Sequence, residues 1–282
     1  MTPADLPAER SHDPFCERGV LAAIHALADF SHSKAMADLV TAGKWRPELL
    51  ITLGKVAPPR YAHFIGRWKD DPDPSVRRAV AVALGLMDND AITIPVLIQL
   101  LTRGDSEDDF PVRWAADESL VALARRQGGE KTRRRLADLL LDRDRMTVAL
   151  AARALALLKD SRGVERLREQ TSDGDRRVRR EAVLALGEAA DKGSREALTR
   201  RLRDDNLAVR ACAVWALGQI GGPSVIPTIR KAVEESLEYE RALERRKQAG
   251  ESERTIHDEY GLGEFDLRQT LEEAIAAAQK QP

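Results

Sequence analysis

Cysteine is nearly absent from this sequence: Cys16 and Cys212 are the only two, far apart and in no metal-ligand spacing. Neither a disulfide framework nor a zinc cluster is indicated, and a reducing, cytoplasmic setting is expected. Aromatic residues are also scarce, at 4% of 282 residues, so alanine and leucine must carry the packing. No apolar run approaches the roughly 20 residues that span a bilayer. Met1 to Pro14 is polar with mixed charges, unlike a signal peptide. An excess of one charge is missing too, since 45 Lys+Arg face 46 Asp+Glu. That balance argues against a dedicated nucleic-acid binder, which needs a net basic footprint.

What the chain has instead is a phrase that returns. Val76-Arg77-Arg78-Ala79-Val80-Ala81-Val82-Ala83-Leu84-Gly85 recurs as Val178-Arg179 with Ala185-Leu186-Gly187, and as Val209-Arg210 with Ala216-Leu217-Gly218. Weaker copies begin at Trp45 (Arg46, Leu53-Gly54), Val112 (Arg113, Ala115, Ser119-Leu120) and Thr147 (Ala154-Leu155). The starts at 45, 76, 112, 147, 178 and 209 are spaced by 31, 36, 35, 31 and 31 residues. Self-similarity at that period marks a stacked solenoid, in which each unit buries its apolar face only against its neighbours.

One unit reads as a helical hairpin. Val209, Ala213, Ala216 and Leu217 fall at i, i+4, i+7 and i+8, the apolar face of a first helix. Asp204 lies five residues before Val209, and Asp71, Asp142 and Asp173 hold the same place in other units. Short acidic side chains there are expected to accept the free N–H groups that open the helix. Gly85, Gly187 and Gly218 near its end are expected to supply a left-handed cap. A second helix follows, with Ile226, Ile229 and Val233 as its stripe and Pro227 in its first turn. Leu97, Leu136, Leu167 and Leu198 align with Ile229.

The pattern Asp-x-x-x-x-Val-Arg-x-x-Ala-x-x-x-Ala-Leu-Gly, followed by a second helix, resembles the HEAT family. It looks most like the short subclass of HEAT-like repeats first named for phycobilisome lyases, over roughly Gly19 to Val233. The resemblance implies a ladder between neighbouring repeats, joining the arginine after the valine to the inter-helix aspartate. Arg77, Arg113, Arg179 and Arg210 match the arginine position, while Thr147-Val148 departs from it. Fold is implied strongly and activity hardly at all, since one fold hosts many functions.

The ends are irregular. Arg18 to Ala28 and Lys34 to Thr41 read as a degenerate first hairpin, as expected of a terminal repeat. Glu234 to Gln248 continues as a charged helix, Thr255 to Asp266 forms a loop, and Phe265 to Lys280 a last helix. There Leu267-Arg268 with Ala274-Ile275 echoes the repeat phrase, 58 residues after Val209, so about one unit is inserted. Gly104 to Pro111 is an acidic loop that lacks the ligand spacing and glycine of a calcium site, and a solvated turn is expected.

No residue set announces catalysis. His12, His25, His32, His63 and His257 form no pair at metal-ligand helical spacing. Deoxyhypusine hydroxylase, a HEAT-like enzyme family, holds two irons with His-Glu dipeptides, and this chain has none. Trp114 and Asp117 share a helical face, as tryptophans and a carboxylate do in HEAT-like DNA glycosylases. Trp45, Trp68 and Trp215 nevertheless hold packing positions, Trp68 completing a stripe with Tyr61 and Phe64. Phe110-Pro111-Val112-Arg113 after an acidic loop looks like a segment of phycobilin lyases. Cys212, within Ala211-Cys212-Ala213, reads as a small buried apolar residue.

The second helices give the surface clue, because in HEAT solenoids they line the concave side. Arg133, Arg134 and Arg135, then Arg166 and Arg168, then Arg200 and Arg201, then Arg230 and Lys231 recur in successive units, with Glu165, Glu169 and Glu196 interleaved. They form either a basic track or lateral salt bridges on a solvated face.

The expected fold class is therefore all-α, an α-solenoid superhelix of about seven to eight HEAT-like helical hairpins. Its expected parts are a tail over 1–17, the repeat solenoid over 18–233, and an inserted charged helix, loop and capping helix over 234–282. The expected function is a non-enzymatic protein–protein scaffold or adaptor in the cytoplasm, with no cofactor, metal or membrane. It binds an acidic partner protein on its concave face through Arg134, Arg166, Arg168, Arg200, Arg230 and Lys231. The alternatives are a phycobilin-lyase-like or DNA-glycosylase-like enzyme, which needs a deep pocket with converging polar groups, or a nucleic-acid-binding solenoid, which needs an unbroken positive stripe.

Overall fold

A computed structural model of the chain describes residues 33–43, 46–104, 107–126, 129–248 and 267–281. Cys16, Trp45, four of the five histidines, the proposed helix over Arg18 to Ala28 and the loop over Thr255 to Asp266 lie outside them. Among the described residues there are fourteen α-helices and no strands. None is long and apolar enough to cross a membrane.

The chain divides into two compact units, Met1–Leu123 and Ala124–Pro282. In the first, α1 (Ser33–Ala42) precedes two first-helix and second-helix pairs. These are α2 (Arg46–Val56) with the short α3 (Ala62–Gly66), and α4 (Pro74–Gly85) with α5 (Asp90–Leu101); α6 (Phe110–Arg126) follows. In the second unit α7 (Glu130–Asp138) precedes three pairs. They are α8 (Arg145–Leu157) with α9 (Ser161–Gln170), α10 (Arg176–Glu188) with α11 (Arg195–Arg201), and α12 (Leu207–Ile220) with α13 (Ile226–Gln248). The closing helix α14 (Leu267–Gln279) packs on α12, as α12 packs on α10. It thus takes the place of the next first helix, at the register expected from Leu267. Residues 234–248 are not a separate helix but a continuation of α13.

The core follows the repeat phrase. Leu186, Leu217 and the second-helix residues Leu97, Leu136, Leu167, Leu198 and Ile229 are all fully buried. Ala274 of α14 joins the cluster built by α10 and α12.

The repeat glycines do something other than cap. Gly85, Gly187 and Gly218 sit within or at the last residue of right-handed helix, and none has a positive φ. Their role is close approach. A Cβ on Gly218 would stand 2.6 Å from the Ala274 backbone, and one on Gly54 2.6 Å from that of Ala83. On Gly187 it would meet Ala216, and on Gly85, Ser119. Each glycine thus seats the first helix of one repeat on an Ala or Ser of the next. The left-handed residue comes three positions later and is not glycine: Lys159 has φ 62° and Ala190 φ 53°. The N–H groups of Ala190 and Asp191 close the end of α10 on the carbonyls of Gly187 and Leu186.

The aspartates also divide their labour differently from expectation. The helix caps lie two residues later: Asp73 accepts from the Ser75 N–H, Asp144 from Met146 and Thr147, Asp175 from Arg177, and Asn206 from Val209. The earlier aspartates hold the caps in place. Asp71, Asp142, Asp173 and Asp204 accept the N–H of Asp73, Asp144, Asp175 and Asn206 at 2.8–3.0 Å.

Three of these aspartates, Asp71, Asp173 and Asp204, also receive the arginine of the preceding repeat. Arg46 donates to Asp71 at 3.0 Å, and its guanidinium lies 4.2 Å from the Trp68 ring centre. Arg179 is bidentate on Asp204, at 2.8 and 3.0 Å, and its Nη1 donates to the carbonyls of Asp173 and Gly174 in its own turn. Arg77 binds the carbonyls of Asp71 and Pro72 and reaches Asp109 at 2.6 Å. Asp109 of the acidic loop is therefore a rung and not part of a solvated turn. Where Thr147 replaces the repeat valine and Val148 the arginine, Arg145 at the start of α8 reaches Asp173 at 2.7 Å instead. Arg113 and Arg210 donate to the carbonyls of Gly104 and Asp204.

Burial raises the Asp204 carboxyl, but the hydrogen bonds from Arg179 and the Asn206 N–H outweigh it and hold it below the ordinary carboxylate range. Such a group adds stability that is complete above its unfolded pKa, near 3.9, and lost as pH falls through the lower folded value.

Four substitutions check these assignments. Leu217→Ala should cost roughly 2–5 kcal/mol in denaturant melts. Gly218→Ala should destabilise by about 1–3 kcal/mol through overpacking, against the ~1 kcal/mol gain of helix propensity alone, whereas Ala190→Gly should stabilise by about 1 kcal/mol. Arg179→Met should cost about 3 kcal/mol by stranding buried Asp204. With the arginine gone, burial raises the carboxyl, so acid unfolding followed by circular dichroism should begin at higher pH than in the parent.

Candidate functional site

With the repeat-position arginines committed to the junctions, a further set of cations lies on the second helices of residues 124–282. The six sequence-derived candidates fare differently there. Arg168 on α9 is structural: it donates to Asp191 at 2.6 Å and to the Ser194 hydroxyl at 2.8 Å, in the inter-helix turn of the next repeat. Burial raises Asp191, and the Ser194 and Arg168 hydrogen bonds more than offset it, so its carboxyl is held low. Arg166 pairs with Glu169 at 2.7 Å, one turn along α9. On α7, Arg134 approaches Glu130 only at 3.5 Å, and both are largely exposed. Arg200 on α11 pairs with Glu196 in the same helix, again on the surface. Arg230 is exposed and makes no ion pair among the described residues. Lys231 lies 3.9 Å from Glu235. Surface pairs of this kind contribute little and are readily exchanged.

Two of the six converge. Arg200 and Lys231 hold the same register position in successive repeats, 31 residues apart, and both line an open groove of about 780 Å³ between α11 and α13. Arg201, already part of the recurring basic run, lines it as well, and so does Arg203, which the sequence reading did not single out. Arg203 follows the end of α11, in the turn, so helical periodicity gave no reason to place it with Lys231. Leu202, Pro227 and Ala232 make the apolar part of the lining, and Glu235 is its one carboxylate. Arg201 reaches Asp204 at 3.3 Å with one nitrogen, while its Nε is buried without a hydrogen-bond partner. Arg203 comes no closer than 3.9 Å to Glu235.

The other candidates for chemistry stay apart from this groove. Cys212 is buried, and desolvation pushes its thiol up to about 12, so it is not a nucleophile at neutral pH. Asp117 is fully buried in α6, and Trp114 on the same helix stacks 6.1 Å from Phe110. His63 is exposed. Among the described residues no three His, Cys, Asp or Glu side chains converge in a metal-ligand cluster.

Paired helices repeated at a fixed period, each first helix seated on the next, define an all-α helical-repeat protein. The family model of HEAT repeats matches residues 62–156 and 164–245, and the chain belongs to that family. The match does not single out the short phycobilisome-lyase-type subclass. An engineered protein of known structure is 21% identical, over 77% of this chain and 96% of its own, with a TM-score of 0.41. YibA of Escherichia coli is 17% identical, over 98% and 100%, with a TM-score of 0.38. Human deoxyhypusine hydroxylase, solved with glycerol, is 18% identical, over 96% and 92%, with a TM-score of 0.35. These likenesses concern the fold alone. No curated protein matches significantly.

The division between structural and surface cations is testable by melting. Arg168→Ala should lower stability by about 1 kcal/mol, given partial exposure of its pair, and Arg230→Ala should stay within about 0.5 kcal/mol of the parent.

Proposed function

We propose that the chain is a non-enzymatic protein-interaction scaffold, with its contact surface on the second helices of residues 124–282. The observation that carries this reading is the separation of charges between helix types. The arginines at the repeat position of the first helices, Arg77, Arg113, Arg179 and Arg210, are buried in bonds to the turn before their own helix or the next, whereas Arg134, Arg200, Arg203, Arg230 and Lys231 stand exposed on or just after second helices. Binding on such a surface is a sum of shallow contacts over several repeats, with the arginines selecting an acidic partner. An adaptor role in a reducing cytoplasm is supported by the scarcity of cysteine. The absence of His-Glu dipeptides from the sequence removes the ligand pattern of the iron-dependent HEAT-like enzymes.

The experiment is affinity capture with the tagged full chain, read by mass spectrometry. A defined partner should be retained by the parent and lost when Arg134, Arg200, Arg230 and Lys231 are replaced together by alanine. Arg168 is left intact because it holds the next repeat. The loss should appear mainly as slower association, and raised salt should weaken parent binding. Sub-micromolar binding of duplex DNA at physiological salt would replace this reading with a nucleic-acid one.

A further inference from the structure

We infer that the groove between α11 and α13 is a docking site for a short acidic peptide segment of a partner protein, one that carries an apolar side chain among its carboxylates. The inference rests on the scaffold reading and assigns it a place and a ligand chemistry.

Charge is the first argument. The whole chain has a formal net charge of -1, yet this groove gathers Arg200, Arg201, Arg203 and Lys231 against the single carboxylate of Glu235. Two of them are loosely paired, Arg203 and Lys231 sharing Glu235 at 3.9 Å each, and Arg200 pairs with Glu196 on the surface of its own helix. A ligand carboxylate can displace those contacts at little cost, because exposed ion pairs are worth little in water. Arg201 is the exception, partly buried, and its Nε has no hydrogen-bond partner. Arg201 lines the groove, and a planar guanidinium suits a carboxylate.

The lining decides between classes of anion. Leu202, Pro227 and Ala232 offer apolar surface beside the cations, and among the described residues no aromatic side chain lines the groove. Single-stranded nucleic acid binds by stacking bases on aromatics along a continuous basic track. Here the track stops, since Glu234 and Glu238 are exposed farther along α13. A long polyanion would run into those carboxylates, whereas a short acidic peptide ends before them. At about 780 Å³ the groove lies within the roughly 300–1,000 Å³ range of small-ligand sites and admits only a few side chains.

The test uses the full chain and a fluorescein-labelled peptide of alternating Asp and Glu around one central Leu, followed by anisotropy. Binding should weaken with salt. The exposed pair Arg203→Glu and Lys231→Glu should reduce affinity roughly tenfold or more, and Glu235→Gln should tighten it about threefold. Arg78→Glu, exposed on α4 and outside the groove, should leave it unchanged, and melting curves should confirm that each variant is folded. Equal affinity for the parent and the double reversal, no gain with Glu235→Gln, or tighter binding of single-stranded DNA than of peptide would each overturn the assignment. Affinity capture separates the two readings. If the double reversal retains the parent's partner, the groove assignment falls and the scaffold stands; if the parent binds the peptide in the groove but captures no protein, the scaffold reading falls instead.

Discussion

Everything in this structure depends on a guanidinium buried at the junction between repeats. Arg77, Arg113, Arg179 and Arg210 are each at most 9% exposed. Removing such a charge from water is costly unless its donors are all used. At Arg179 the fold offsets that cost by bringing together two kinds of acceptor. The turn before each first helix offers backbone carbonyls that no helix satisfies, and the next turn offers an aspartate. Arg179 uses both at once. The same aspartate receives the N–H of the capping residue two positions on. One side chain thus links the start of a helix to the start of the next, and the stack is fixed turn by turn.

The second constraint is distance. Such a junction forms only if first helices lie close enough for an arginine in one to span to the next turn, and the glycine at the far end of each helix permits this. Gly54, Gly85, Gly187 and Gly218 each face an Ala or Ser one repeat on. The two devices secure opposite ends of one helix pair, polar at the start and apolar at the end. Their combined effect is to commit the first helices wholly to architecture. The second helices carry sparser links, Arg168 to Asp191 and Ser194 and Arg195 to the Gly221 carbonyl and Ser224, and α11 and α13 leave a groove between them. Recognition can then vary on one set of helices without disturbing the other, as expected where nearest-neighbour interfaces set stability.

The sequence exposed the part of this logic that depends on periodicity. The register was readable through the 58-residue gap, because Ala274 meets Gly218 as Ala216 meets Gly187. The position of the rungs was readable as well, since Val-Arg recurs. What periodicity could not convey was which backbone atom a side chain meets. Asp204 and Asn206 both suit a helix cap, and only geometry shows that Asn206 caps α12 while Asp204 braces it. Glycine at a helix end suggests a left-handed turn, yet the neighbour that forbids a Cβ lies some thirty residues away. Arg145 was overlooked because it replaces a missing rung from a different turn position. Arg168 and Arg200 were indistinguishable as letters, although one is fastened to Asp191 and the other stands in solvent. Tertiary partners, not local pattern, separated them.

The position of the groove connects recognition to the end of the array. One wall, α13, belongs to the last repeat, and that repeat is held on its far side by α14, which packs against both α12 and α13. Terminal repeats have one neighbour fewer and are the first to loosen. A closing helix seated through Ala274 on Gly218 supplies that missing neighbour and keeps α13 at a fixed separation from α11. Binding between those helices and docking of α14 are then coupled, because a ligand that requires both walls stabilises the arrangement that holds them. The extension of α13 beyond its repeat also becomes intelligible. It carries Glu234 and Glu238 just past the groove, so the same helix also sets where a positive surface ends.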